Sequence, residues 1–129
     1  MIARLLCLLA WMAVIYWFSD QPNSNQVTEN YFGDFNFSVR KLAHFSEYAI
    51  LFLIARWTLA ASKLEQIRAR GAWSALAIAV AYAMLDEWHQ AYVPGRSAAW
   101  GDVLIDASGA TVSWLFLTLW EKRSISGRA

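Results

Sequence analysis

The sequence predicts an all-α membrane protein: a single domain, residues 1–129, with four transmembrane helices in an antiparallel bundle and both termini in the cytoplasm. Three observations lead there. Of the residues, 58% are hydrophobic and only 16% charged, which is more apolar than a soluble domain this small normally needs. The apolar residues fall into four runs close to the roughly 20 residues that cross a bilayer. The positive charges gather on one side of those runs, the bias that sets orientation in membranes.

The first run, about 2–18, reads "IARLLCLLAWMAVIYWF". No small-x-small cleavage site follows it, so it is expected to stay as an anchor rather than be removed as a signal peptide. Residues 19–40 are polar, with Pro22, Gly33 and several Asn, and are expected to form an outer loop. The second run, about 41–61, carries His44, Glu47 and Arg56 among apolar residues. Arg56 lies toward its inner end, where its side chain can reach the head groups. "SKLEQIRAR", 62–70, is a short charged link. The third run, about 71–92, becomes charged only near its end, before the turn signature Val93-Pro94-Gly95. The fourth, about 101–120, starts with Asp102 and Asp106 and then turns apolar.

Arg4, Lys63, Arg68, Arg70, Lys122, Arg123 and Arg128 flank one side, against Arg40, Lys41 and Arg96 on the other. The first side is therefore the cytoplasmic one. Trp17, Trp88 and Trp100 then fall near the outer interface, with Trp57, Trp73 and Trp120 near the inner one, where indole rings concentrate. A net charge of +1 gives no bulk attraction to nucleic acid. The single Cys7 has no partner for an intramolecular disulfide and reads as a small packing or lipid-facing residue.

This topology brings scattered polar residues to one level. The second helix enters from outside, so Lys41, His44, Glu47 and Tyr48 occupy its outer turns, three and four residues apart on a common face. The third helix ends outside with Asp86, Glu87, His89 and Gln90; Tyr82, Asp86 and His89 share a stripe. The fourth begins outside with Asp102 and Asp106, and its small residues Gly109 and Ser113 allow close helix approach. Ionisable groups are costly inside a membrane and usually face a bundle interior or a wet cavity. An outward-open polar pocket rimmed by Trp88 and Trp100 is expected, with Arg40, Lys41 and Arg96 balancing the carboxylates.

The same residues carry a family resemblance. "SDQP" after the first helix, "KLAHFSEYAILFLIAR" in the second and "LDEWHQAYVPGRSAAWGDVLIDASGA" across the third and fourth resemble the VanZ-like family of small polytopic bacterial membrane proteins. The match extends over nearly the whole chain. It implies a multi-pass protein of the bacterial cytoplasmic (inner) membrane. It also implies a role in the cell envelope, or in antibiotic resistance to glycopeptides of the teicoplanin type, with which the family's namesake is linked. Carried over by position, the motif residues are Lys41, His44, Glu47 and Tyr48, then Asp86, Glu87, His89, Gln90, Pro94, Gly95 and Arg96, and Asp102. Asp106 departs from the asparagine that the resemblance leads one to expect, which adds a carboxylate to the pocket.

Several chemistries fit these residue types. His44 and Glu47 with Glu87 and His89 offer nitrogen and oxygen ligands for a divalent metal. Glu87 and His89, however, point roughly 200° apart on a helix, so ligands would have to come from two helices. In a membrane hydrolase or transferase, His44, Glu47, Asp86, Glu87 and His89 would move protons. Arg96 and Lys41 would meanwhile hold a lipid-linked phosphate or sugar head group. A non-catalytic pocket would use Lys41, Tyr48, Gln90, Arg96, Asp102 and Asp106 to bind a lipid-linked envelope precursor or a glycopeptide. The plainest alternative is a structural or interaction protein in which Asp86–Arg96, Glu47–Lys41 and Asp102–His89 are ion pairs fixing helix ends. No cofactor is specified beyond the metal, the bilayer is the expected partner, and the oligomeric state is left open.

Overall fold

The computed structural model describes residues 1–96 and 99–126, with the side chains of residues 25 and 125 left aside. Arg128, counted above among the cytoplasmic cations, lies outside them. The described residues form six α-helices and no strand: α1 (Ile2–Ser19), α2 (Ser24–Phe32), α3 (Asn36–Ala60), α4 (Glu65–Ala69), α5 (Gly71–Gln90) and α6 (Trp100–Ser126), with a 3-10 turn over Gly33–Phe35.

The four long helices meet around α3, which packs against α1, α5 and α6. Cross-helix bonds give their directions. Arg4 and Trp11 of α1 donate to the carbonyls of Trp57 and Glu47 at 2.9 and 3.0 Å, so α1 runs opposite to α3. Gly71 of α5 lies against Arg56 and Leu59, while Tyr82 faces Tyr48 with ring centroids 6.4 Å apart; α5 is also antiparallel to α3. Ion pairs join Lys41 to Asp102, His44 to Asp106 and Arg56 to Glu121, so α3 and α6 run side by side in the same direction. Arg56 therefore finds its partner within the chain rather than only at the head groups.

Sequence explains each packing face. On α5, Gly71, Ala75, Ala79 and Ala83 recur every four residues and are all buried, forming a smooth ridge that admits a close neighbour. The same stripe continues into Asp86 and Gln90, which are buried as well. On α6, Asp102, Asp106, Gly109 and Ala110 form the inward line. A Cβ on Gly109 would overlap the Phe45 carbonyl, so only glycine permits this α3–α6 approach.

The core is mainly apolar, but the surface is more apolar, and the core holds more polar groups, than in a typical water-soluble domain. The largest fully buried residues include Gln90 and Asp106 beside Tyr48, Phe52, Ile15 and Leu51. The exposed surface carries Leu5, Leu6, Leu9, Leu104, Phe116, Leu119 and Trp120. Two helices, α1 and α6, are long and apolar enough to cross a membrane. In α3 and α5, Arg40, Lys41, Glu47 and Arg56, and Asp86 with Glu87, interrupt the apolar runs.

The segment 19–40, expected as a loop, is largely helical instead. Pro22 stops α1, and Asn23 turns the chain in the left-handed region, φ +54°. The Asn23 N–H donates to the Pro94 carbonyl at 3.2 Å, and α2 then leads through the 3-10 turn directly into α3. Tertiary bonds to the 93–96 turn, absent from any local pattern, hold this element. The link 62–70 likewise contains the one-turn helix α4.

Candidate functional site

At the end of the bundle where α1 and α5 finish and α3 and α6 begin lies a cavity of about 130 Å³. Its lining comes from five segments: Ile15, Phe18 and Ser19 of α1; Ser24 and Thr28 of α2; Arg40, Ala43, His44 and Glu47 of α3; Asp86 of α5; and Arg96 of the turn. A second hollow of about 270 Å³, lined by Phe37, Arg40, Lys41, His44, Ala99 and Asp102, shares Arg40 and His44 with the first.

His44, Asp86 and Asp106 form the deepest polar group, each offering a ligand atom within 4.8 Å of the others. They come from three different helices. Helix spacing places His44 one turn after Lys41 and Asp106 one turn after Asp102, so the parallel α3–α6 pair stacks one ion pair beneath another. His44 Nδ1 is 3.2 Å from Asp106 Oδ1, an ion-pair contact, and neither Asp106 oxygen has a further hydrogen-bond partner among the described residues. Asp86 Oδ2 accepts a bond from Gln90 at 3.0 Å, while Asp86 Oδ1 is buried with none. The Tyr48 hydroxyl is also buried without a partner.

Arginines occupy the mouth. Arg96 donates to Ser24 Oγ at 2.7 Å, and its Nε is buried without a partner. Burial, followed by the charge of nearby Arg40, lowers the Arg96 pKa; an arginine so displaced still carries its charge at any physiological pH. The cavity thus has cationic and hydroxyl groups at its mouth and carboxylates with an imidazole at its floor.

The structure sorts the residues singled out from sequence. His44, Glu47, Asp86 and Arg96 line one cavity, with Asp106 beneath it. Lys41 and Asp102 pair with each other in the adjoining hollow. Tyr48 is buried in the core, and Gln90 orients Asp86. Glu87 and His89 lie elsewhere. Glu87 accepts the Ala99 N–H and lines a groove with Trp88 and Trp100. His89 turns toward α1, 3.1 Å from Asp20 and against the Tyr16 ring.

The expected pairs Asp86–Arg96, Glu47–Lys41 and Asp102–His89 are replaced by Asp86–Gln90, Lys41–Asp102 and His89–Asp20. The cause is helix direction: α6 lies beside α3 and supplies its partners, leaving His89 on the α1 side. Trp88 and Trp100 accordingly flank a lateral groove rather than the polar mouth, which α2 partly covers.

Ser24 and Thr28 were not singled out from sequence, and Ser19 and Asp20 entered only within the "SDQP" match. Ser24 and Thr28, four residues apart, could have been placed on one helix face had α2 been recognised. Asp20 carries no local signal for His89, 69 residues away.

A family model described as VanZ/LLP1 matches residues 4–121 of the chain. No curated protein and no solved structure matches it.

Proposed function

The chain belongs to the VanZ/LLP1 family, and from that premise we propose a four-span protein of the bacterial cytoplasmic membrane, with both termini inside, that binds a phosphate-bearing lipid head group at the outer face. Support for four spans comes from the apolar surface. The charged residues that interrupt α3 and α5 are mostly turned inward and partnered, while large apolar side chains cover the outside. This is the arrangement a bilayer demands of intramembrane polar groups.

The observation that carries the head-group reading is the mouth of the cavity. Arg40 and Arg96 lie close enough for their charges to interact, beside the hydroxyls of Ser24 and Thr28. Guanidinium donors are suited to phosphate oxygens. The neighbouring exposed Tyr31, Phe35 and Phe37 suit the interfacial depth of a lipid head group. A role in the envelope follows if that lipid carries a cell-wall building block, and any effect on glycopeptide resistance would run through it. The histidine and carboxylates below the mouth favour a second reading, a hydrolase or transferase acting on the bound head group.

The test uses purified protein in a non-ionic, phosphate-free detergent, titrated with dodecyl phosphate and, separately, with dodecanol. Dodecyl phosphate is expected to raise the melting temperature where dodecanol does not. Arg96→Gln is expected to weaken the effect at least tenfold, about 1.4 kcal/mol, within the range of a lost charge-assisted bond. Equal responses to the two alkyl probes would sink the proposal.

A further inference from the structure

We propose that His44, Asp86 and Asp106 form a binding site for one divalent transition-metal ion, with Mn²⁺ or Zn²⁺ as its chemical class. The inference goes beyond the head-group reading and does not depend on it.

Buried carboxylates require compensation from charge or hydrogen bonds. Asp106 and Asp86 are only 1% and 5% exposed, and their ligand atoms lie within 4.8 Å of each other. The chain's own compensation at this point is the His44 imidazole, 3.2 Å from Asp106, and one amide, against two carboxylates. Gln90 serves one oxygen of Asp86, whereas the other and both oxygens of Asp106 have no hydrogen-bond partner among the described residues. Lys41 is engaged by Asp102, and Arg96 donates to Ser24. A divalent cation would balance both carboxylates and meet their unpartnered oxygens together with His44 Nδ1.

One ligand pair already has the spacing such an ion needs, and Asp86, within 4.8 Å of both, would close in on it. Metal–ligand bonds of about 2.0–2.2 Å place neighbouring tetrahedral ligands roughly 3.3–3.6 Å apart. His44 Nδ1 and Asp106 Oδ1 are already 3.2 Å apart. One imidazole and two carboxylates favour Mn²⁺ or Zn²⁺ over Ca²⁺ or Mg²⁺, which prefer oxygen alone. Three protein ligands would leave a position free, as in metal sites that bind an exogenous group, next to the cavity lined by Arg40 and Arg96.

The experiment takes purified protein in dodecyl maltoside, strips it with EDTA and titrates it with MnCl₂ and with ZnCl₂. Melting temperature, bound metal per chain and the Mn²⁺ electron spin resonance spectrum are read. Near one ion per chain is expected, with a raised melting temperature and nitrogen coupling from a single imidazole. Asp106→Asn should weaken binding at least tenfold while leaving the metal-free protein as stable as wild type or more so. Loss of a merely structural pair would lower that stability. His89→Ala and Arg96→Gln should bind metal like wild type; for Arg96→Gln this separates failure of the metal site from failure of the head-group reading. Absence of binding by the wild type, or binding unchanged in both Asp106→Asn and Asp86→Asn, overturns the proposal. If those variants do not fold, the wild-type spectrum decides: nitrogen coupling that His89→Ala retains supports the site, and its absence overturns it.

Discussion

Glycine at position 109 sets the distance between the two helices that carry most of the site. A Cβ there would overlap the Phe45 backbone carbonyl, which cannot swing aside as a side chain could. Gly109→Ala must therefore push α6 away from α3, and overpacking of this kind costs about 1–3 kcal/mol. Gly101, near the start of the same helix, has open space where a Cβ would stand; Gly101→Ala should be neutral or stabilise by up to about 1 kcal/mol. Thermal melts of both variants in detergent check the contrast, and equal losses would show that helix propensity, not approach, governs these positions. Asp106 is one turn from Gly109, so the first variant should also disturb its relation to His44. Residue types and spacing made Lys41, His44, Asp86, Asp106 and Arg96 legible as a group. The choice of partners was not legible. Spacing shows that Glu87 and His89 diverge, but which of them points inward depends on the neighbours of α5.

At the scale of elements, α2 is the part that sequence concealed. Its residues, "SNQVTENYF", have no continuous apolar stripe, and its start depends on bonds from Asn23 to Pro94 and from Arg96 to Ser24. The long helices were legible because runs that are apolar on nearly every face leave a compositional mark; an element held by distant turn residues leaves none. Gly95 takes part in the same lock, at φ +75° and so close to Asn23 that a Cβ would overlap its side chain. Amide exchange should be faster in 24–32 than in 48–58, since among the described elements α2 packs on α3 and the 3-10 turn and is otherwise held by its bonds to the 93–96 turn. Gly95→Ala should speed exchange in α2 further while leaving 48–58 unchanged. Hydrogen-exchange mass spectrometry reads both segments at once, and uniform acceleration would mean that the turn supports the whole bundle.

For the whole molecule, the proposed orientation puts the 3-10 turn outside and the α4 link inside. In a Cys7→Ser background, Phe35→Cys should react with a membrane-impermeant maleimide in intact cells. Lys63→Cys should react only after permeabilisation. Both side chains belong to exposed positions, so the reverse pattern would invert the topology. The parallel pairing of α3 with α6 also bears on how such a protein is made. Lys41, His44 and Arg56 find their carboxylates 61 to 65 residues later in the chain, on α6, which leaves the ribosome after them. Until then α3 holds cations with no counter-charge at hand, and entering lipid alone would be costly. Synthesis order thus places a waiting period on α3, during which it must linger near water, the insertion machinery or α1. In the proposed four-span arrangement its residence in the bilayer is a late event, completed when α6 arrives with the opposite charges.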